Sequence, residues 1–177
     1  VVPAVHGSAA WRCAAVACER DAVVVSPCGR DSSRVAELPT GTVTFLFTDI
    51  EGSTGLLEDL GEGYGEALIS HRALLRKVFR AYGGVEVDNQ GDAFFFVFPD
   101  AREAAAAAAA GQEALAAGPV RVRMGLHTGT PSQTDEGYFG RDVNLGARVA
   151  AAAHGGQVVL SKATRDLLDG PAVRDLG

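Results

Sequence analysis

The run TVTFLFT at residues 42–48 constrains the fold more than any other part of the sequence. It consists of β-branched and aromatic residues with one leucine, and it is apolar on both of its alternating faces. A half-buried strand would instead alternate apolar and polar residues. The run therefore predicts a central strand of a sheet, covered on both sides.

Glycine, proline and hydrophobic periodicity divide the chain after this strand into regular segments. An amphipathic helix is predicted at about 64–82, ended by Gly83 and Gly84, and an alanine-rich helix at 101–117. The other predicted segments are a hairpin of strands at 85–88 and 93–98, a strand at 120–128, a loop at 129–140, a helix at about 142–153, a strand at 157–160 and a helix capped by Ser161 that runs to Leu168.

The order of these segments predicts the fold class. From residue 42 it is β, α, β, β, α, β, followed by α, β, α. The first six segments form the ferredoxin-like split βαβ pattern. We therefore expect an α+β fold, a ferredoxin-like split βαβ sandwich with additional C-terminal α and β elements.

The 177 residues have room for one domain and a short extension. Residues 1–40 show no sustained helical or strand period, so we expect a poorly structured N-terminal extension, with the folded domain at 41–177. All three cysteines lie in the extension. An odd number without a framework spacing argues against a disulfide-stapled secreted protein.

The composition excludes several classes of partner. Sixteen Lys and Arg against 22 Asp and Glu give a net charge of -6, the wrong sign for a protein held on nucleic acid or anionic lipid by its overall field. No stretch reaches the length of a membrane span, and the apolar run at 13–18 is too short for a secretory signal. We expect a soluble, cytoplasmic chain with neither nucleic acid nor membrane as partner.

A carboxylate, Asp49, ends the predicted central strand. It lies on the same alternating face as Phe45 and Phe47, where an ionised group without a partner is costly. Asp49 therefore needs a cation or hydrogen-bond donors. A plain turn or capping role is the alternative reading of an isolated aspartate after a strand.

The segment after Asp49 predicts an anion site. Gly52, Ser53 and Thr54 lead into helical sequence, with Ser53 or Thr54 as the expected N-cap. Free backbone N–H groups at a helix N-terminus hold phosphates well. A cation site and an anion site are therefore expected side by side.

A second carboxylate, Asp92, lies at the tip of the predicted hairpin. The topology places this tip beside the end of the first strand, so Asp49 and Asp92 should converge. Two carboxylates in one site repel each other unless they share a proton or a divalent metal. With a phosphate site adjacent, Mg²⁺ or Mn²⁺ fits best, since no histidine or cysteine cluster suggests Zn²⁺.

The helix after Gly140 carries two further candidates. Asn144 and Arg148 are four residues apart and share a face, which is most often simply solvated. If the helix borders the phosphate site, Arg148 can stabilise charge on a transferring phosphoryl group and Asn144 can position a sugar. His127, at the end of its strand, is expected to be a structural histidine rather than a base.

Four strings together resemble the catalytic domain of class III nucleotidyl cyclases: TVTFLFTDIEGST, DNQGDAFFFVF, VRMGLHTG and GRDVNLGARVA. They occur in the family's order with compatible spacing, and the resemblance covers about residues 42–176. It implies that the 3′-hydroxyl of a purine nucleoside triphosphate, ATP or GTP, attacks the α-phosphorus, which yields the 3′,5′-cyclic nucleotide and pyrophosphate.

The resemblance also implies roles for individual residues. Asp49 and Asp92 match the metal-binding aspartates, with the Ile50 carbonyl as a further ligand, and the site takes two Mg²⁺ or Mn²⁺ ions. Residues 50–54 match the phosphate loop. Asn144 matches the ribose-orienting asparagine and Arg148 the transition-state arginine. In the family those two come from the partner subunit, so a homodimer with two composite sites is expected.

Two positions depart from the family's pattern. The adenine-reading lysine is replaced by Asp88, and the partner base-reading position falls on Gly137. ATP is favoured by family prevalence, whereas Asp88 could accept hydrogen bonds from guanine. The family's last hairpin is expected to be missing after Gly177.

These departures support a rival function, a catalytically degenerate domain that binds nucleotide or only dimerises. A polymerase-like nucleotidyltransferase with a similar two-metal core is a further alternative, and the VNLGAR string argues against it.

Overall fold

The computed structural model describes residues 38–134, 137–168 and 173–174. Most of the predicted N-terminal extension, residues 1–37, lies outside this range. The strands are β1 Val43–Ile50, β2 Val85–Gln90, β3 Ala93–Phe98, β4 Val122–Gly129, β5 Ser132–Thr134, β6 Gly137–Phe139 and β7 Val158–Leu160. The helices are α1 Ser53–Leu60, α2 Tyr64–Ala81, α3 Ala101–Leu115, α4 Arg141–Ala151 and α5 Lys162–Arg165, with a 3-10 turn at Gly61–Gly63.

The main sheet has five strands in the order β2-β3-β1-β4-β7. β1 pairs antiparallel with β3 on one side and with β4 on the other, and β7 adds parallel to β4. All eight residues of β1 are buried. The predicted central strand and the α+β, ferredoxin-like pattern with C-terminal additions are therefore confirmed.

Two hydrophobic clusters cover the two faces of this sheet. The first joins α2 and α3 to the sheet through residues such as Leu46, Phe79 and Phe96. The second joins α4 to the opposite face and contains Phe45 and Phe95. Each fully buried phenylalanine contributes roughly 1.5–3 kcal/mol, so the aromatic run of β1 and β3 supplies much of the core's stability.

The loop predicted at 129–140 is wrong in part, because β5 and β6 pair there as a small separate sheet. Its polar residues gave no alternating hydrophobic signal. Tyr138 on β6 packs into the second cluster and donates a hydrogen bond to the Pro39 carbonyl at 2.5 Å. Among the described residues, no helix is both long and apolar enough to span a bilayer.

Glycines allow α4 to lie very close to the sheet. A Cβ on Gly125 of β4 would lie 2.2 Å from the backbone nitrogen of Ala150. On the facing side, a Cβ on Gly146 would lie 2.8 Å from the Phe47 ring. The position of α4, which carries Asn144 and Arg148, is therefore fixed by backbone contact.

We expect Gly125→Ala to lower the free energy of unfolding by at least about 3 kcal/mol, because the added methyl meets backbone and not a movable side chain. Gly65→Ala on α2 is the matched control. Nothing lies within 4 Å of its added Cβ, and alanine favours a helix by roughly 0.5–1 kcal/mol over glycine. Urea unfolding followed by circular dichroism measures both. Equal stability of Gly125→Ala and wild type would contradict the close contact.

His71 of α2 is a buried histidine of the core. Its side chain is 2 % exposed, its Nδ1 lies 3.3 Å from the Leu68 carbonyl oxygen, and its ring lies 6.0 Å from that of Phe94. Its Nε2 has no hydrogen-bond partner in the described part of the chain. Burial lowers the pKa of His71 to about 4, so the folded protein holds the neutral ring.

This pKa makes stability depend on pH. Between pH 4 and the ordinary value of 6.5 the unfolded chain binds a proton that the folded chain rejects. Stability is therefore complete above pH 6.5 and falls towards pH 4. We expect wild type to lose about 3 kcal/mol more than His71→Leu across this window. Urea unfolding at a series of pH values tests this, and parallel profiles would refute it.

Candidate active site

The first candidate carboxylate, Asp49, is 2 % exposed and forms an ion pair with Arg123 of β4. The Arg123 Nη2 and Nε donate to the same oxygen, Oδ2, at 2.5 and 3.1 Å. The two residues are direct cross-strand partners in the β1–β4 register. The cation that the sequence required for Asp49 is therefore provided within the chain by Arg123, a residue that sequence reasoning missed.

The second carboxylate, Asp92, comes directly before β3 and is 5 % exposed. Its Oδ2 is buried and has no hydrogen-bond partner among the described residues. An unpartnered buried carboxylate oxygen is costly in a folded protein. It therefore indicates a place for a ligand.

The structure brings the two carboxylates to the same end of the sheet. The β1–β3 pairing runs as far as Thr48 opposite Phe94. Asp49 comes one residue after Thr48, and Asp92 two residues before Phe94. Burial raises the pKa of the Tyr64 hydroxyl, and the charges of Asp92 and Asp49 raise it further. Both carboxylates therefore act on one phenol at the start of α2.

The predicted N-cap of the first helix is wrong by one or two residues. The helix begins at Ser53, and its cap is Gly52, with φ 64° and ψ 33°. This left-handed conformation suits glycine, which explains why neither Ser53 nor Thr54 takes the capping position. No side chain caps the helix. Its first amides therefore remain available to an anion.

The donor set at this end of the sheet suits a hard divalent cation. Two carboxylates, from Asp49 and Asp92, and the backbone carbonyl of Ile50 offer oxygen, which Mg²⁺ and Mn²⁺ prefer. The free Asp92 oxygen fits such an ion. The described ranges contain no group of three or more His, Cys, Asp or Glu side chains that could hold a metal alone. Substrate phosphates would have to complete the coordination.

Asn144 and Arg148 lie on α4, and the structure does not connect them to the aspartates. The Asn144 Oδ1 is buried without a partner in the described part of the chain. Arg148 is exposed. No described residue accepts a hydrogen bond from its guanidinium or forms an ion pair with it. Among the described residues, the Arg148 guanidinium is therefore open to a further partner, whereas the Asn144 amide oxygen is buried and unpaired.

The two base-reading candidates lie in different sheets. Asp88 follows a bulge in β2 and is 8 % exposed. Its Oδ1 accepts from the Asn89 backbone N–H at 2.8 Å and its Oδ2 from Gln90 Nε2 at 2.9 Å. Gly137 belongs to the small β5–β6 sheet, with φ 129° and no side chain to offer. Of the two candidates, only Asp88 has a side chain, and both of its oxygens already accept hydrogen bonds.

His127 behaves as the structural histidine that was expected. Its Nδ1 shares a 2.8 Å hydrogen bond with Ser161 Oγ, and Nε2 lies 3.7 Å from Asp142. Burial lowers the pKa of His127, while Asp142 acts in the opposite direction. Ser161 also caps α5, as predicted, by accepting from the Thr164 backbone N–H. The ring therefore links β4 to α5.

Arg123 could have been found from the sequence only with the strand register. It precedes Met124 in a strand that was correctly predicted, but Asp49 lies 74 residues earlier. A basic residue in one strand and an acidic residue in another pair only if their registers align. Tyr64 was likewise invisible, because its placement depends on where α2 begins.

Comparison with known proteins identifies a family match for most of the chain. The family model of the adenylate and guanylate cyclase catalytic domain matches residues 35–175. An uncharacterized protein of Mycobacterium tuberculosis is 41 % identical over 153 residues, which are 85 % of this chain and 53 % of that protein. An adenylate cyclase of Podospora anserina is 34 % identical over 173 residues, covering 80 % of this chain and 8 % of that protein. The chain thus spans about half the length of the mycobacterial relative.

Solved structures show the same fold. Adenylate cyclases from Trypanosoma brucei in their monomeric state include one with a TM-score of 0.67 at 28 % identity, which covers 79 % of this chain and 81 % of that one. The adenylyl cyclase CyaB of P. aeruginosa gives a TM-score of 0.62 at 27 % identity, with coverage of 72 % and 80 %. The resemblance seen in the four sequence strings is confirmed, and the chain belongs to the adenylate and guanylate cyclase catalytic domain family, the class III cyclases.

Proposed function

We propose that this domain converts a purine nucleoside triphosphate to the 3′,5′-cyclic nucleotide and pyrophosphate, for intracellular signalling. One observation carries the proposal. Two buried carboxylates, Asp49 and Asp92, lie at the same end of the β1–β3 pair, close in the chain to an uncapped helix N-terminus, and Asp92 keeps a buried oxygen without a partner among the described residues. This arrangement suits divalent cations and a triphosphate, the two components that phosphoryl transfer needs.

Each residue at this end of the sheet has a proposed task. Asp49, Asp92 and the Ile50 carbonyl would hold two Mg²⁺ or Mn²⁺ ions, which supply a lowered pKa for the attacking hydroxyl and charge neutralisation for the phosphates. The backbone N–H groups of Gly52, Ser53 and Thr54 bind phosphate oxygens at the positive end of α1. The exposure of this turn leaves room for a ligand.

Asn144 and Arg148 are proposed to act on the substrate held by a second copy of the chain. Both lie on α4, on the sheet face opposite α2 and α3, and neither is linked to the aspartates of its own chain. Arg148 would neutralise charge that develops around the α-phosphoryl group, and Asn144 would orient the ribose. A homodimer with two composite sites follows, since one chain carries both halves.

The identity of the base depends on Asp88. Its two oxygens already accept hydrogen bonds from Asn89 and Gln90, which hold the side chain in place. An acceptor suits the N1–H and amine of guanine, whereas adenine offers only its exocyclic amine. ATP remains the first candidate because several relatives bear the name adenylate cyclase. GTP is the second candidate because of Asp88.

A second candidate function is a nucleotide-binding or dimerisation domain without turnover. The observation in its favour is that Asp88 is engaged within its own strand and Gly137 has no side chain. Such a domain would still bind triphosphate and metal. It would release no pyrophosphate. A cytoplasmic location, as the composition predicts, suits either function.

The deciding experiment incubates the purified chain with Mn²⁺ or Mg²⁺ and separately with ATP and GTP, and detects cyclic nucleotide by mass spectrometry. We expect product from wild type and none from Asp49→Ala. Asp92→Asn is the better control, because it removes the carboxylate charge at similar side-chain size and the Asp92 Oδ2 has no hydrogen bond among the described residues that could be lost. Nucleotide binding without product, in a folded dimeric sample, would favour the binding domain.

We expect Arg148→Ala to lower kcat by about 10²-fold or more with a smaller effect on nucleotide affinity, because its charge acts mainly in the transition state. Arg165→Ala, an exposed arginine on α5, is the matched control and should retain activity. Steady-state kinetics measure both. An Arg148→Ala enzyme with wild-type kcat would remove Arg148 from the site.

The same variant tests the composite site. A mixture of Asp49→Ala with Arg148→Ala should recover part of the activity, because one of the two sites in a mixed dimer has both halves intact. Absence of recovery in confirmed mixed dimers would count against the two-chain arrangement.

A further inference from the structure

We propose that Arg123 is a positioning residue that holds Asp49 until a divalent cation displaces it, so that the guanidinium and the metal compete for one carboxylate oxygen. The inference rests on the metal-binding role proposed for Asp49. It concerns the state of the site before nucleotide arrives. Its test therefore needs metal alone.

In the contact between Arg123 and Asp49, the guanidinium occupies the carboxylate oxygen that a metal ion would otherwise bind. Arg123 Nη2 and Nε lie 2.5 and 3.1 Å from the single oxygen Oδ2 of Asp49. Asp49 is 2 % exposed, while Arg123 on the neighbouring strand β4 is 28 % exposed. The buried Asp49 side chain is thereby oriented by a cation of its own chain.

A metal ion and the guanidinium are incompatible at this oxygen. Two N–H groups already use the lone-pair directions of Oδ2, so a cation that binds there must displace at least one of them. A dication would also stand a few ångströms from a permanent positive charge. Binding of metal to Asp49 is therefore weakened for as long as Arg123 stays in place.

The two carboxylates of the site are unequal for this reason. Asp92 Oδ2 is buried without a partner, whereas Asp49 Oδ2 has two donors. Both belong to the same end of the β1–β3 pair. The first cation is thus expected at Asp92, and Asp49 joins the coordination only when Arg123 moves away.

The test measures Mn²⁺ affinity without nucleotide, by electron paramagnetic resonance of free Mn²⁺. We expect Arg123→Gln to bind Mn²⁺ at least about tenfold more tightly than wild type. The substitution removes a positive charge that repels the dication, and this repulsion exceeds the free energy of a tenfold change even with the screening found near a protein surface. Arg121→Gln is the matched control. Its guanidinium donates to the Gly118 carbonyl and it lies two residues away on the same chain segment. Its affinity should equal that of wild type.

Equal Mn²⁺ affinity of wild type and Arg123→Gln would overturn the proposal. So would a parallel gain in Arg121→Gln, which would show only an effect of net charge. Circular dichroism confirms that each variant is folded. Cyclase assays of wild type separate this inference from the proposed function. If wild type turns over substrate but Arg123→Gln binds Mn²⁺ no more tightly, only this inference is wrong. If Arg123→Gln binds Mn²⁺ more tightly but wild type forms no cyclic nucleotide, only the proposed cyclase activity is wrong.

A measurement on the wild-type chain covers the case in which Arg123→Gln does not fold. In a ¹⁵N-labelled sample, the Nε–Hε signal of Arg123 is assigned by its absence from Arg123→Lys. We expect this signal to move as Mg²⁺ is added, because the guanidinium leaves Asp49. A signal that stays fixed while Mg²⁺ binds would overturn the displacement.

Discussion

The burial of β1 is the constraint on which the rest of the structure depends. This strand has a neighbour on each edge and a hydrophobic cluster on each face, so every residue in it is removed from water. A charge at its end is therefore placed inside the protein as soon as the sheet forms. Asp49 is that charge, and Arg123 on the next strand is its counterion. The chemistry of the site follows from this one carboxylate.

Much of the fold could be predicted from local patterns. The glycines after α2, the continuous apolar run of β3 and the two-sided run of β1 each carry a signal of their own, and the order of segments predicts the topology. The β5–β6 pair could not be predicted, since each strand has only three residues and β5 is entirely polar, so the segment resembles a loop. The Gly52 cap was missed because the backbone, and not a side chain, sets where α1 begins.

The candidate site likewise has features that the sequence predicts and features that it does not. The meeting of Asp49 and Asp92 follows from topology alone, because a hairpin tip must lie beside the strand next to it. The pairing of Asp49 with Arg123 does not, because it requires the register of two strands distant in sequence. The engagement of Asp88 depends on a bulge and on the rotamer of Gln90, neither of which leaves a pattern in the sequence.

The glycine contacts beneath α4 have a mechanical consequence. With Gly125 against the backbone at Ala150 and Gly146 against the Phe47 ring, α4 contacts the sheet through backbone as well as through the side chains of the second cluster, and such close packing resists sliding. A sheet and a helix joined in this way turn and translate together. Arg148, which α4 carries, is therefore expected to keep its position relative to the main sheet whenever the domain moves as a whole.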